Sequence, residues 1–191
     1  MDVQPTDALI VVDVQNDFCP GGALPVGGGN QIVGPINEFM PKFQHVVFTR
    51  DWHPADHCSF DGTPKFVDGS WPVHCVADSP GAAFHGDLHV PLDAFIVDKG
   101  TDPDVEAYGG FQDTDLAEKL AEWGVERVFI CGLATDYCVK CTAFGALDHG
   151  FEVVLVEDAC RGVDIPEGSA DQAVTEMRDA GILVCVSGQL E

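Results

Sequence analysis

The chain has 191 residues, and its 9 Lys and Arg stand against 32 Asp and Glu for a formal net charge of −23. Nine scattered cations in such an acidic field cannot displace the condensed counterions of a nucleic acid or hold the chain to anionic lipid, which excludes both partner classes. A hydrophobic content of 46%, with 12 Phe and 3 Trp, excludes a disordered chain and suffices to fill a core.

A folded monomer of this mass exposes roughly 9,000 Å², or about 400 Å² per net charge, which spaces net charges on the order of 20 Å apart. Screening acts over ~8 Å at physiological salt and ~3 Å at 1 M, so molar salt quenches most of the remaining repulsion. The acidity therefore points to a halophilic cytoplasm, with an ordinary soluble acidic surface as the alternative.

In chain order, Met1 to Pro5 lacks a basic region, and the apolar run Ala8 to Val12 is too short for a signal peptide or a membrane span. A cytoplasmic location is expected. Strands are predicted at Ala8–Val14, His45–Asp51, Ala94–Lys99, Arg127–Leu133, Glu152–Glu157 and Ile182–Ser187, from short β-branched runs. Helical patterns fall between them at about Gln31–Phe43, Asp115–Trp123, Asp136–His149 and Pro166–Ala180, with Gly124, Gly150 and Gly181 placed as C-terminal caps. This alternation predicts a three-layer α/β/α sandwich on a mostly parallel sheet of about six strands, as one domain over 1–191. An irregular insertion at about 52–91 carries His53, His57, Trp71, His74, His85 and His89, and a loop of that length is expected to be folded around something functional.

Ligands of open α/β sheets sit beyond the carboxyl ends of the strands. Asp13 follows five apolar residues at such an end, as a desolvated proton shuttle or as a loop cap. Lys99, one of five lysines, ends Ala94–Asp98, where it can neutralise an anion or pair with Asp98. Cys138 falls in the first turn of a predicted helix, where unpaired N–H groups and the helix dipole are expected to lower its pKa toward the thiolate and to stabilise an oxyanion. Asp51 and His53 share one side of an extended segment, and a further histidine, His57 or His74, would complete a facial set for Zn²⁺, Fe²⁺ or Mn²⁺. The eight cysteines form no disulfide framework and suit a reducing compartment; Cys138 and Cys141 have C-x-x-C spacing, the one feature favouring a thiol redox or metal-binding protein.

Five segments in order, Val11–Leu24 (VVDVQNDFCPGGAL), Thr49–Phe60 (TRDWHPADHCSF), Trp71–Cys75 (WPVHC), Lys99–Asp102 (KGTD, with Tyr108 and Phe111) and Gly132–Val139 (GLATDYCV), carry a likeness that runs over almost the whole chain. Together they resemble the nicotinamidases of the isochorismatase-like cysteine-hydrolase superfamily. The resemblance implies a catalytic triad of Asp13, Lys99 and Cys138, and an oxyanion hole from the N–H groups of Ala134 and Cys138, with a cis bond between Leu133 and Ala134. It also implies a divalent metal ion, Zn²⁺ first and Fe²⁺ or Mn²⁺ otherwise, on Asp51, His53 and His74, with His57 as a candidate fourth ligand. Phe18, Trp71 and Tyr108 become candidate walls for a pyridine ring. The implied reaction is hydrolysis of nicotinamide to nicotinate and ammonia through a thioester, a step in NAD salvage, with pyrazinamide as a further substrate. Another small-carboxamide amidase of the superfamily is the nearest alternative, and a homo-oligomer fits this reading.

Overall fold

The computed structural model describes residues 1–191 and contains one six-stranded, wholly parallel sheet in the order β3-β2-β1-β4-β5-β6. The strands are β1 (Asp7–Val12), β2 (His45–Asp51), β3 (Phe95–Lys99), β4 (Arg127–Leu133), β5 (Glu152–Arg161) and β6 (Leu183–Cys185). All six residues of β1 are buried, which is why its sequence is continuously apolar after Asp7 rather than alternating. Four helices pack with the sheet as an α/β sandwich: α1 (Val33–Phe39), α2 (Leu116–Glu122), α3 (Lys140–Asp148) and α4 (Ser169–Asp179). Gly124, Gly150 and Gly181 follow α2, α3 and α4 with φ of 68°, 86° and 94°, the left-handed stops expected of them.

Strand order reverses at β1, which has β2 on one side and β4 on the other. Parallel sheets open a crevice outside the carboxyl ends of the strands at such a switch point. Here those ends carry Asp13 after β1, Asp51 closing β2, Lys99 closing β3 and Ala134 after β4. Asp51 lies directly opposite Lys99 in the β2–β3 ladder, so register alone brings a carboxylate and an ammonium side by side.

The sheet is wholly parallel, in keeping with the expected mostly parallel sheet of about six strands. Three sequence expectations need adjustment. Strand β5 runs to Arg161 instead of ending at Glu157, because a register shift lets Gly132 and Leu133 of β4 pair with Cys160 and Arg161. The predicted helix over Gln31–Phe43 is α1 flanked by two 3-10 turns, Gly29–Ile32 and Met40–Lys42. The helix predicted from Asp136 begins as a π-helical turn over Thr135–Val139 before α3. The 52–91 segment contains no helix and no extended strand, yet bridges between His53 and Val76, Phe60 and Trp71, and Val67 and Ser70 fold it back on itself.

Candidate active site and metal centre

Lys99 is the hub. Its side chain is fully buried, lies 2.9 Å from Asp13 Oδ2, pairs closely with Asp51 Oδ1, and donates to Cys138 Sγ at 3.4 Å. Asp98, the alternative partner, is instead taken by Arg50 at 2.5 Å on the outer side of the sheet. Asp13 Oδ1 accepts a 2.6 Å hydrogen bond from Thr49 Oγ1, while Oδ2 has ion-pair proximity to Lys99 without hydrogen-bond alignment. That oxygen is therefore open to another donor, and the Asp13 carboxylate, the Asp51 carboxylate and Cys138 Sγ converge within 4.8 Å of one another.

Burial acts on each of these groups, and their charges decide the outcome. Burial alone would depress the Lys99 pKa, but Asp13 and Asp51 hold it well above the ordinary lysine value. Asp51 is pushed up by burial and pulled further down by Lys99 and His53, so it stays ionised. For Asp13 burial wins over Lys99 and raises the pKa, which makes this carboxylate the better proton acceptor. Cys138 departs from expectation. Burial drives its thiol well above the usual value, and the pull of Lys99 does not overcome it because Asp13 and Asp51 oppose that pull. The resting group is the thiol, not the thiolate.

The backbone after β4 is shaped around Cys138. The Leu133–Ala134 bond is cis, as expected. A regular α-helix would direct the Cys138 N–H to the Ala134 carbonyl; the π-helical turn gives that carbonyl to the N–H groups of Tyr137 and Val139 instead, both at 3.1 Å. The Ala134 N–H donates to no other group of the chain. Gly132, at φ +122°, lets β4 pass against Val12, where a Cβ would meet the Val12 backbone nitrogen at 2.7 Å.

A second cluster adjoins the first through Asp51. Asp51 Oδ2 lies 3.5 Å from His53 Nε2 and 3.8 Å from His74 Nε2, and all three residues are buried. Donors on a tetrahedral ion with ~2.1 Å bonds stand about 3.4 Å apart, so this trio fits a divalent cation with positions to spare. His53 Nδ1 bonds Gly100 O at 2.8 Å and His74 Nδ1 bonds Pro72 O at 2.7 Å, which leaves both Nε2 lone pairs facing Asp51. His57 is not brought into the trio. Its Nε2 bonds Val105 O at 3.1 Å and its Nδ1 meets the Ser59 hydroxyl at 2.7 Å, so the ring stacks on His53 at 4.1 Å with both nitrogens engaged.

Phe18, Trp71 and Tyr108 do line one pocket, together with Leu24, Tyr137 and Val163, with Cys138, Ala134, Asp51 and His74 as its reactive end. Its empty space is about 330 Å³ with the open mouth included, and four of its lining residues, Phe18, Trp71, Tyr108 and Tyr137, are aromatic. Trp71 Nε1 donates to Tyr108 OH at 2.8 Å, and Tyr108 OH donates to Asp68 at 2.7 Å, fixing that wall. A larger hollow of about 1000 Å³ lies at the opposite, amino ends of β2 and β3, away from all of this chemistry. Cys141 faces another surface hollow beside Phe111 and His149, not the reactive end.

Several supporting residues carry no mark in the sequence. Gln15 is fully buried, donates to Asp51 O and Ala82 O at 2.8 Å each, and accepts the Asp51 N–H at 2.8 Å, which clamps the end of β2. Asp17 accepts the Cys75 N–H at 2.8 Å and so ties the Phe18 loop to the His74 loop. Tyr137, next to the nucleophile candidate, is the one wall residue that sequence adjacency could have flagged.

The isochorismatase domain model matches residues 7–189. The nicotinamidase of Escherichia coli is 40% identical over 93% of each chain. Among solved structures, pyrazinamidase of Pyrococcus horikoshii in complex with zinc superposes with a TM-score of 0.86 at 49% identity, covering 95% of this chain and 99% of that one. PnC1 from L. infantum in complex with nicotinate superposes with a TM-score of 0.91 at 38% identity, covering 100% and 98%. On the whole-length match of sequence and fold, the chain belongs to the isochorismatase family.

Proposed function

We propose that the protein is a metal-dependent nicotinamidase that hydrolyses nicotinamide, and also pyrazinamide, to the acid and ammonia through a thioester on Cys138. It is an amidohydrolase, as its relatives over the whole chain are. The observation that carries the finer reading is Lys99, in contact at once with Asp13, Asp51 and Cys138, the last two of which line an aromatic pocket.

The carboxamide carbon lies over Cys138 Sγ, with the ring between Phe18, Trp71 and Tyr108. Asp13 Oδ2 takes the thiol proton as sulfur attacks, so no free thiolate has to accumulate in the buried site. Lys99 holds the developing negative charge between Asp13 and sulfur. The oxyanion rests on the N–H groups of Ala134 and Cys138. Asp13 then returns the proton to the leaving nitrogen, the C–N bond breaks, and ammonia departs. Water, deprotonated by Asp13, attacks the thioester, Asp13 returns that proton to the departing sulfur to restore the thiol, and the product leaves as the acid, which ionises in solution. Asp51, His53 and His74 are the residues that would hold the metal ion. When bound, the ion would supply positive charge beside the pocket to attract the ring nitrogen. The eight unpaired cysteines support a reducing, cytoplasmic setting.

Purified protein loaded with Zn²⁺ is expected to release one ammonia per nicotinamide, and to lose that activity on dialysis against a chelator and regain it with metal. Folded, metal-loaded protein that released no ammonia would overturn the assignment. Hydrolysis of unrelated small carboxamides in preference to nicotinamide would favour the broader amidase alternative.

A further inference from the structure

Outside the triad and the histidine trio, one more carboxylate oxygen is buried beside this site, on the half-buried Glu106. Glu106 Oε1 accepts the Ala107 N–H at 3.2 Å, but Oε2 has no exposure and no hydrogen-bond donor. An unpaired buried carboxylate oxygen is costly, by about 1–3 kcal/mol or more when charged. Its segment wraps the site on both sides. The Val105 carbonyl accepts from His57 Nε2, the Ala107 carbonyl lies 3.5 Å from Lys99 Nζ, and the Glu106 carbonyl itself is fixed by Gln112 Nε2 at 2.7 Å. After burial and its own backbone bond, the charges that act on the Glu106 carboxyl are those of Asp51 and His53, two members of the trio, and of Lys99 beside them.

Charge counting gives this oxygen a purpose. Ionised Asp13 and Asp51 with protonated Lys99 leave one net negative charge in a buried cluster, and a divalent cation on the trio turns that into one net positive charge. A further carboxylate returns the cluster to neutrality, which a low-dielectric site favours. We propose that Glu106 is a positioning residue of the metal centre, its buried Oε2 accepting a hydrogen bond from water around the cation and its charge balancing the cation. The inference rests on the reading of Asp51, His53 and His74 as the metal site. The competing explanation is a protonated carboxyl that only packs, and Glu106→Gln separates the two because it preserves shape while removing charge.

The test is a Zn²⁺ competition titration against a chromophoric chelator on wild type, Glu106→Gln, Glu106→Asp and His74→Ala, with melting in chelator to verify that each folds. Glu106→Gln is expected to weaken Zn²⁺ binding by about 10–100-fold, the usual effect of removing an outer partner of a metal site. Glu106→Asp, which keeps the charge but shortens the reach, is expected to fall between Gln and wild type. Zinc affinity of Glu106→Gln equal to that of wild type, with His74→Ala impaired, would overturn the role of Glu106 alone. Wild type binding no more tightly than His74→Ala would remove the metal centre and this proposal together.

Discussion

Cys138 shows how burial and charge compete at a single atom. Its sequence position predicts a thiolate, from a helix start and a nearby lysine. In the structure the lysine is already shared between two carboxylates, and the buried thiol sits beside those same carboxylates, so its pKa moves up. Asp13 moves up as well, chiefly through burial, which makes it a better acceptor of the thiol proton than a free carboxylate would be. The consequence is measurable on metal-free protein. Alkylation by iodoacetamide requires the thiolate, which forms only as pH rises through the elevated pKa. The rate at Cys138, followed by peptide mass spectrometry, is expected to keep climbing beyond the ordinary thiol range of about 8.5. A plateau below neutral pH would instead reveal the low-pKa thiolate that sequence position suggests.

Elements differ in how far their residues disclose them. Asp13, Asp51 and Lys99 were legible because each closes or follows an apolar strand run, and Cys138 because it opens a helix behind one. Strand β5 was not, since Glu157 and Asp158 interrupt its apolar pattern where the ladder to β4 shifts register. Gln15 and Thr49 were also hidden, because their partners lie 36 residues away and only the β1–β2 pairing brings them together. His57 has the spacing of a ligand, while in the structure Ser59 and Val105 engage its ring, a pairing that the sequence does not disclose. Asp136 belongs to the same class of hidden residue. Buried at the start of the π-helical turn, it accepts the N–H groups of Val163 and Asp164 at 2.9 Å each and the Ser169 hydroxyl at 2.6 Å. Those bonds hold Val163 against the pocket and join the turn to α4. Asp136→Ala strands these donors and is expected to cost about 3 kcal/mol in denaturant unfolding. It should also raise KM more than it lowers kcat, since Val163 shapes binding rather than the reacting atoms. Unchanged stability would show that the loop is held by something else.

At the scale of the whole molecule the charge becomes a statement about stability. The accessible surface is 8479 Å², so each of the 23 net negative charges has about 370 Å². Six of the nine basic side chains are already committed to ion pairs, and one of these, Lys99, is buried in the site, so little positive charge remains to neutralise the surface. Salt acts on this surface in two opposing ways. It weakens the exposed pairs, such as Lys119–Glu122 and Arg178–Glu157, each worth about 0.2–1 kcal/mol at most. It also screens the repulsion among the unpaired acids, and that contribution grows with their number. With unpaired acids far outnumbering pairs, repulsion dominates, and we propose that the fold is adapted to a salt-rich cytoplasm. Raising KCl from 0.1 to 2 M is expected to raise Tm by roughly 10 °C, given about 2–4 °C per kcal/mol for a chain of this size. Because salt that acted mainly through the ion pairs would lower Tm, the sign alone decides. A flat or falling Tm across the series would mean that the acidity serves solubility and not folding in salt.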